Sequence, residues 1–523
     1  MAVLMTPPRH VVPVILYAIL AIVVIPVFPH YVSPNEFSRW DLAVAIVDFH
    51  TIEVTRAVAA TNTETEDLSE VDGRKYSNKA PGAALVGLPG YAFARRIVGP
   101  PTPHNMRFTL TAMRLLGSTL PAVLLALSVG AAAIRFGASE DRATFAVVAM
   151  LFGTPLFAYG LLFFAHALSA FALFGAFALF YAQSPRDPRP ATRELAAGLL
   201  IGLAVLSEYP SAIPALVLIA CALPRLRFSG ALRVMAGGLP FAIALAIYNH
   251  VAFGSVFTLS SAHEWQPFYR QVAQHGLFGV GLPSPIILLR LLADPAKGLF
   301  VFSPVLLLAW PGIRRAYATL PRSTFVALVA TPISILLTFA GYPNWHGGWT
   351  VGARYLVPTL PFLALLIAFA APTIMDWLLL GASVTVVAIV TLVFPFVGSD
   401  FAMPWMTFSW PILRDGYVAP NLFHFISRPL AIAIPFALVL VATLIAVPRR
   451  RIAWFVAGGA TWFFAGFLFA GAGSKNVRAV VEAVHFGDPT AIRRAAPDDP
   501  RTRAALEAIA RDEQRKPPDY WPF

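Results

Sequence analysis

The stretch VVPVILYAILAIVVIPVF (Val11–Phe28) carries no charge and approaches the length of about 20 apolar residues that a bilayer crossing takes. Runs of the same kind recur near 11–29, 113–134, 143–159, 163–182, 195–207, 210–223, 232–252, 298–313, 324–341, 355–371, 374–396, 428–447 and 452–471. By the length criterion about thirteen transmembrane helices are expected, and the fold class is all-α, a polytopic integral membrane protein. The composition agrees: of 523 residues, 58% are hydrophobic and 13% charged, with a mean hydropathy of +0.69, outside the usual range of a globular domain.

Most of the charge is confined to short loops, one long first loop and the C-terminal tail. The formal net charge of +12 does not point to nucleic acid, because the arginines sit between helices, where they set orientation and meet anionic lipid. Arg135 and Arg142, Arg186/Arg189/Arg193, Arg225/Arg227/Arg233, Arg314/Arg315/Arg322 and Arg449–Arg451 all fall on one side of the expected membrane, which the positive-inside rule makes cytoplasmic. The first loop (31–112), the loops at 253–297 and 397–427, GYPNWHGGW (Gly341–Trp349) and the tail (474–523) then share the external face, leaving 1–473 as the membrane module. The single cysteine, Cys221, lies in an apolar run and forms no intrachain disulfide. No small-residue cleavage site follows the first apolar run, so it reads as a retained helix rather than a signal peptide.

The first external loop holds two segments of helical amphipathicity, 36–49 and 80–97, which are expected to lie along the membrane surface. Between them runs the acidic, Thr-rich TNTETEDLSEVDG (Thr61–Gly73). At SEYPSAIP (Ser207–Pro214) two short apolar segments meet at Glu208, Tyr209 and Pro210, as either a hairpin or a broken helix. Both are tolerated only where backbone lines a cavity.

Three segments together resemble a known family. NEFSRWD (Asn35–Asp41) after the first helix, DGRKYSNKAPG (Asp72–Gly82) of D-G-x-x-Y-x-x-K-x-P type, and WHGGWTVGARYLVPTLPFL (Trp345–Leu363) look like the GT-C glycosyltransferases, with protein O-mannosyltransferases and lipid A aminoarabinose transferases as the nearest groups. The resemblance implies transfer of a sugar from a polyprenyl-phosphate donor to an acceptor hydroxyl on protein, lipid or glycan, with inversion, at the external face of a bacterial inner membrane. Where better-known members carry Asp-Glu, this chain has Asn35-Glu36, so the base role is expected to pass to Glu36, with Asp41 next.

The chemistry asks for the same residue types: a carboxylate to take the acceptor proton and cations to stabilise the departing phosphate. Lys79 and Arg354 are the candidates for the phosphate. His346, His166, and the loop pair His263 and Glu264 are candidates for contact with phosphate or acceptor. Tyr76, Trp345 and Trp349 offer rings for a sugar or prenyl chain, although interfacial Tyr and Trp are ordinary in membrane proteins. The run Glu64, Glu66, Asp67, Glu70 and Asp72 is oxygen-rich enough for a divalent cation, but its spacing matches no metal loop and no obligatory metal is expected. There is no phosphate loop, paired C-x-x-C, H-E-x-x-H or G-x-S-x-G. The readings from other classes are a transporter or flippase of lipid-linked saccharide, for which no repeated halves are visible, and a non-catalytic subunit of a membrane assembly.

Overall fold

A computed structural model of the chain describes residues 8–28, 33–61, 63, 65, 67–102, 105–182, 190–276, 279–469 and 475–487. Most of the polar tail and the acidic residues Glu64 and Glu66 therefore lie outside the described residues. Among those described, six helices are long and apolar enough to span a membrane: Met106–Arg135, Pro190–Ser207, Phe228–Phe253, Arg322–Ala340, Ile374–Val393 and Arg449–Phe469. Five shorter apolar helices cover Val11–Val24, His166–Tyr181, Tyr209–Arg225, Arg354–Phe369 and Arg428–Leu444. The protein is thus an integral, multi-pass helical membrane protein.

The two remaining expected spans are segmented. The run at 143–159 is a helix, Glu140–Phe152, that stops at Gly153 and resumes as one turn, Leu156–Tyr159. The run at 298–313 breaks into Leu299–Phe302, a 3-10 stretch Pro304–Leu308, and Ala309–Thr319. In the second, Pro304 removes a backbone donor where a continuous helix would need it.

Burial sorts the helices. The central helix Ile374–Val393 is largely buried, whereas Phe228–Phe253 is largely exposed. On the latter, Leu232, Met235, Leu239, Ile243, Ile247 and Val251 are exposed at helical spacing, a stripe that only lipid satisfies.

The Glu208 region is a hairpin. Pro190–Ser207 arrives beside the start of the helix His166–Tyr181, where the Glu208 carboxylate meets His166 Nδ1. The returning leg passes Ser169 at Ser211, hydroxyl to hydroxyl at 2.7 Å, and ends with the Arg225 guanidinium 4.9 Å from the Tyr181 ring.

The first loop folds as a small subdomain. Its first helix, Pro34–Phe49, starts where the Ser33 hydroxyl accepts the Glu36 N–H and proline occupies the first turn. Instead of lying half-exposed, it is buried at every residue from Glu36 to Ala45. A second helix, Gly82–Val98, packs on it, tied through Asp48, which accepts from Tyr91 Oη at 2.6 Å and Arg95 Nε at 2.6 Å. Between them is an antiparallel hairpin of β1 (Leu68–Val71) and β2 (Arg74–Ser77), turned at Asp72 (φ 50°) and Gly73 (φ 76°), the Asp-Gly pair suited to a two-residue hairpin turn.

Candidate functional site

A cavity of about 530 Å³ opens where four segments meet at the first-loop end of the bundle. Ser33–Asn35 form one wall, and Thr65, Asp67, Asn78 and Lys79 flank the hairpin. Ser261, Glu264 and Tyr269 come from the loop at 253–297, and Tyr342, Asn344, Gly347–Trp349, Arg354 and Tyr355 complete the lining.

The hairpin draws the distant loop in. Ser69 bridges to Glu264 in antiparallel fashion, Trp265 N–H donates to Leu68 O at 2.9 Å, Ser69 Oγ donates to Ser260 O at 2.9 Å, and Ser260 Oγ donates to Asn78 O at 2.8 Å. These bonds fix a compact charged group. Asn78 Nδ2 donates to Glu264 Oε2 at 2.8 Å and approaches Asp67 Oδ1 at 3.5 Å, while Lys79 Nζ is 3.1 Å from the same Asp67 oxygen.

The two carboxylates of the group differ in character. Burial alone would raise the Asp67 carboxyl, but Lys79, Arg354 and Asn78 hold it below the ordinary aspartate range. Glu264 is pushed up to about 7, chiefly by burial, with Lys79 and Asn78 pulling the other way and Asp67 adding repulsion. A carboxylate that titrates near neutrality is matched to proton transfer at physiological pH.

Arg354 faces this group. Its Nη2 donates to Tyr355 Oη at 2.8 Å, and its guanidinium lies 4.7 Å from the Tyr355 ring and 5.7 Å from the Phe164 ring. Its Nε is buried without a hydrogen-bond partner, and no carboxylate lies within ion-pair distance of it among the described residues. A guanidinium so placed retains donors for an incoming anion. The turn beneath it depends on Gly347, whose φ is +69° and where an added Cβ would stand 2.5 Å from Arg354 Nε.

That turn is also clasped from behind by Lys297. Its buried Nζ donates to Gly348 O at 3.0 Å, Thr350 O at 2.5 Å and Val397 O at 2.5 Å, and burial lowers its pKa well below the ordinary lysine value. Sequence inspection missed it because a lysine in a loop has no signature of burial.

Other residues singled out from the sequence stand elsewhere. Glu36 does not line the cavity. It is 1% exposed, with Oε1 and Oε2 held by Arg114 Nε at 2.8 Å and Nη2 at 2.7 Å, and Phe163 N–H donates to Oε1 at 2.5 Å. The residue of that pair on the cavity wall is Asn35, whose carbonyl and side-chain oxygens both accept from Arg39 Nη1. Asp41 is fully buried, accepts from Thr63 Oγ1 at 2.7 Å, and has a pKa raised well above the ordinary aspartate value by burial.

Tyr76 meets the Phe253 ring edge-on at 5.8 Å and His263 stacks on it at 5.5 Å, beneath the hairpin. Trp345 packs under the Arg290 guanidinium at 5.8 Å. His346 Nδ1 accepts the Gly348 N–H at 3.0 Å, and burial, Lys297 and Arg354 lower its pKa. His166 is committed to Glu208 behind the cavity. Of the expected binding residues, Lys79, Arg354, Glu264 and Trp349 line the cavity together.

The molecule is therefore a polytopic helical membrane protein with a charged cavity at one end of its bundle. No family model and no curated protein matches the chain. Among solved structures it is similar to ArnT from Cupriavidus metallidurans bound to undecaprenyl phosphate, at 15% identity over 96% of this chain and 87% of that one, with a TM-score of 0.47. It is also similar to the Archaeoglobus fulgidus oligosaccharyltransferase tethered to an acceptor peptide, at 14% identity over 96% of this chain and 59% of that one, TM-score 0.45. A third likeness is to the archaeal oligosaccharyltransferase AglB from the same organism, in complex with an inhibitory peptide and a dolichol-phosphate, at 14% identity, 98% and 61% coverage, and TM-score 0.40. The chain spans about three fifths of the two archaeal proteins. At these scores the functional question rests on the chain's own residues.

Proposed function

We propose that the chain is a membrane glycosyltransferase that moves a sugar from a polyprenyl-phosphate donor to an acceptor hydroxyl in the 530 Å³ cavity. The single observation carrying this reading is that one cavity is lined both by a carboxylate titrating near 7, Glu264, and by a guanidinium with no carboxylate partner among the described residues, Arg354. The sequence resemblance supplies the donor class.

The donor phosphate binds Arg354 and Lys79, and the donor's prenyl chain stays in the bilayer. Glu264 takes the proton as the acceptor oxygen forms its bond to the anomeric carbon. The bond from that carbon to the phosphate oxygen breaks on the opposite face, and the polyprenyl phosphate leaves with the electron pair, stabilised by the two cations. One displacement of this kind inverts the anomeric centre. Glu264 replaces Glu36 and Asp41 as the proposed base because the first has both oxygens occupied and the second is enclosed. Trp349, Tyr269 and Tyr342 provide rings against which a sugar packs.

The reading needs no metal: Asp67 already has Lys79 as its counter-ion. The cavity lies at the end of the bundle away from Arg142, Arg315, Arg450 and Arg451, and the positive-inside rule supports an external face for it. The test is incubation of the purified chain, in lipid, with a panel of radiolabelled polyprenyl-phosphate sugars and candidate acceptors. Label recovered in a product supports transfer; intact donor appearing on the far leaflet with no product would favour a flippase instead.

A further inference from the structure

A second cavity, larger than the first, lies at the other end. Arg354–Phe369 runs from the first cavity to the second, Arg354 lining one and Phe369 the other, a separation of roughly 27 Å for a 3-10 stretch, Arg354–Thr359, followed by the α-helix Leu360–Phe369. This second cavity measures about 900 Å³, and its charged lining is Arg9, Arg142, Arg315, Arg450 and Arg451 against Asp141 alone.

Pairing among these groups makes the balance more one-sided still. Asp141 is spent on Arg9. Arg142, in the floor, is pinned by Asp376 and by Ile367 O at 2.7 Å. Arg315, Arg450 and Arg451 have no carboxylate within ion-pair distance among the described residues, and they come from two separate segments, Ala309–Thr319 and Arg449–Arg451. Loop arginines that only orient a membrane protein need no concavity between them. Here they rim one that also has apolar walls from Phe136, Phe369 and Trp377, so the surface offers cations at the mouth and hydrocarbon contact within.

We propose that this cavity binds the phosphodiester headgroup of an anionic membrane lipid, with Arg315, Arg450 and Arg451 on the phosphate and the acyl chains leaving between the helices. Basic concavities between helices on the cytoplasmic side have the charge and geometry for such headgroups. The site is separate from the transfer reaction and stands whether or not that reaction is the right one.

The test uses the full chain in detergent, titrated with cardiolipin, phosphatidylcholine or sodium pyrophosphate and read by native mass spectrometry. Wild type is expected to retain cardiolipin in preference to phosphatidylcholine. The variant Arg315→Gln/Arg450→Gln/Arg451→Gln is expected to bind cardiolipin roughly 100-fold more weakly. The variant Arg227→Gln/Arg314→Gln/Arg322→Gln, altered at exposed arginines outside the cavity, serves as the charge control and should behave as wild type. Both variants change side chains on the surface, and an unchanged melting temperature without lipid verifies the fold. Equal retention of the two lipids, binding of pyrophosphate with no lipid retained, or equal loss in the control variant would overturn the proposal.

Discussion

Glu264 and Glu36 show how a residue's environment decides its use. Both are buried glutamates beside helix termini, yet one is bridged by a neutral amide and the other is locked by a guanidinium and a backbone N–H. Glu36→Gln should therefore act on stability: leaving Arg114 buried without its partner costs about 3–5 kcal/mol, to be seen as a lowered melting temperature. For Glu264 the effect should fall on rate, and the sign of its pH dependence follows from its pKa. A base must be deprotonated, so transfer should rise as pH climbs through about 7 and level off above it. Arg354→Gln should lower kcat/KM by about 100-fold or more, the scale for removing one donor aimed at developing charge, with binding of the acceptor unaffected. The sequence already marked Lys79, Arg354 and Glu264, because charge is rare in such a chain and each falls in a loop or at a helix end. It offered no way to tell Glu36 from Glu264, since which glutamate meets an arginine depends on Arg114, 78 positions away.

At the scale of elements, the hairpin and the glycine turn position the site. The hairpin was legible in principle: LSEV and RKYS flank Asp72-Gly73, the strongest short signal for such a turn, but the acidic composition around it reads as a loop. Its partner was not legible, because Ser69 and Ser260 are 191 positions apart and a single β-bridge leaves no periodicity. Asn78, at the end of the hairpin, donates to Glu264 and so favours its charged form. Asn78→Leu should raise the pH at which transfer reaches half its maximum, read from the rate profile. Gly347→Ala should displace Arg354, since its Cβ would stand 2.5 Å from Nε at a φ that L-residues disfavour. The expected outcome is loss of transfer with melting temperature little changed.

For the whole molecule, the thirteen apolar runs were readable because a bilayer imposes a length, and each has a helical counterpart. The breaks at Gly153 and Ser303 fall at Gly-Thr-Pro (153–155) and Ser-Pro (303–304), breaker signals inside runs that the length criterion alone reads as continuous. The molecule is polarised, with a mixed-charge cavity at one end and an arginine-lined one at the other. The central claim is that the first of these performs sugar transfer with Glu264 as base. The most direct measurement is transfer of radiolabelled sugar from polyprenyl-phosphate donors by the purified chain in lipid, comparing wild type, Glu264→Gln and Glu36→Gln at temperatures where all three are folded. A loss of at least about 100-fold in Glu264→Gln, with the pH dependence near 7 abolished and Glu36→Gln retaining most activity, is the expected result. Full activity in Glu264→Gln, or loss confined to folded Glu36→Gln, would contradict it.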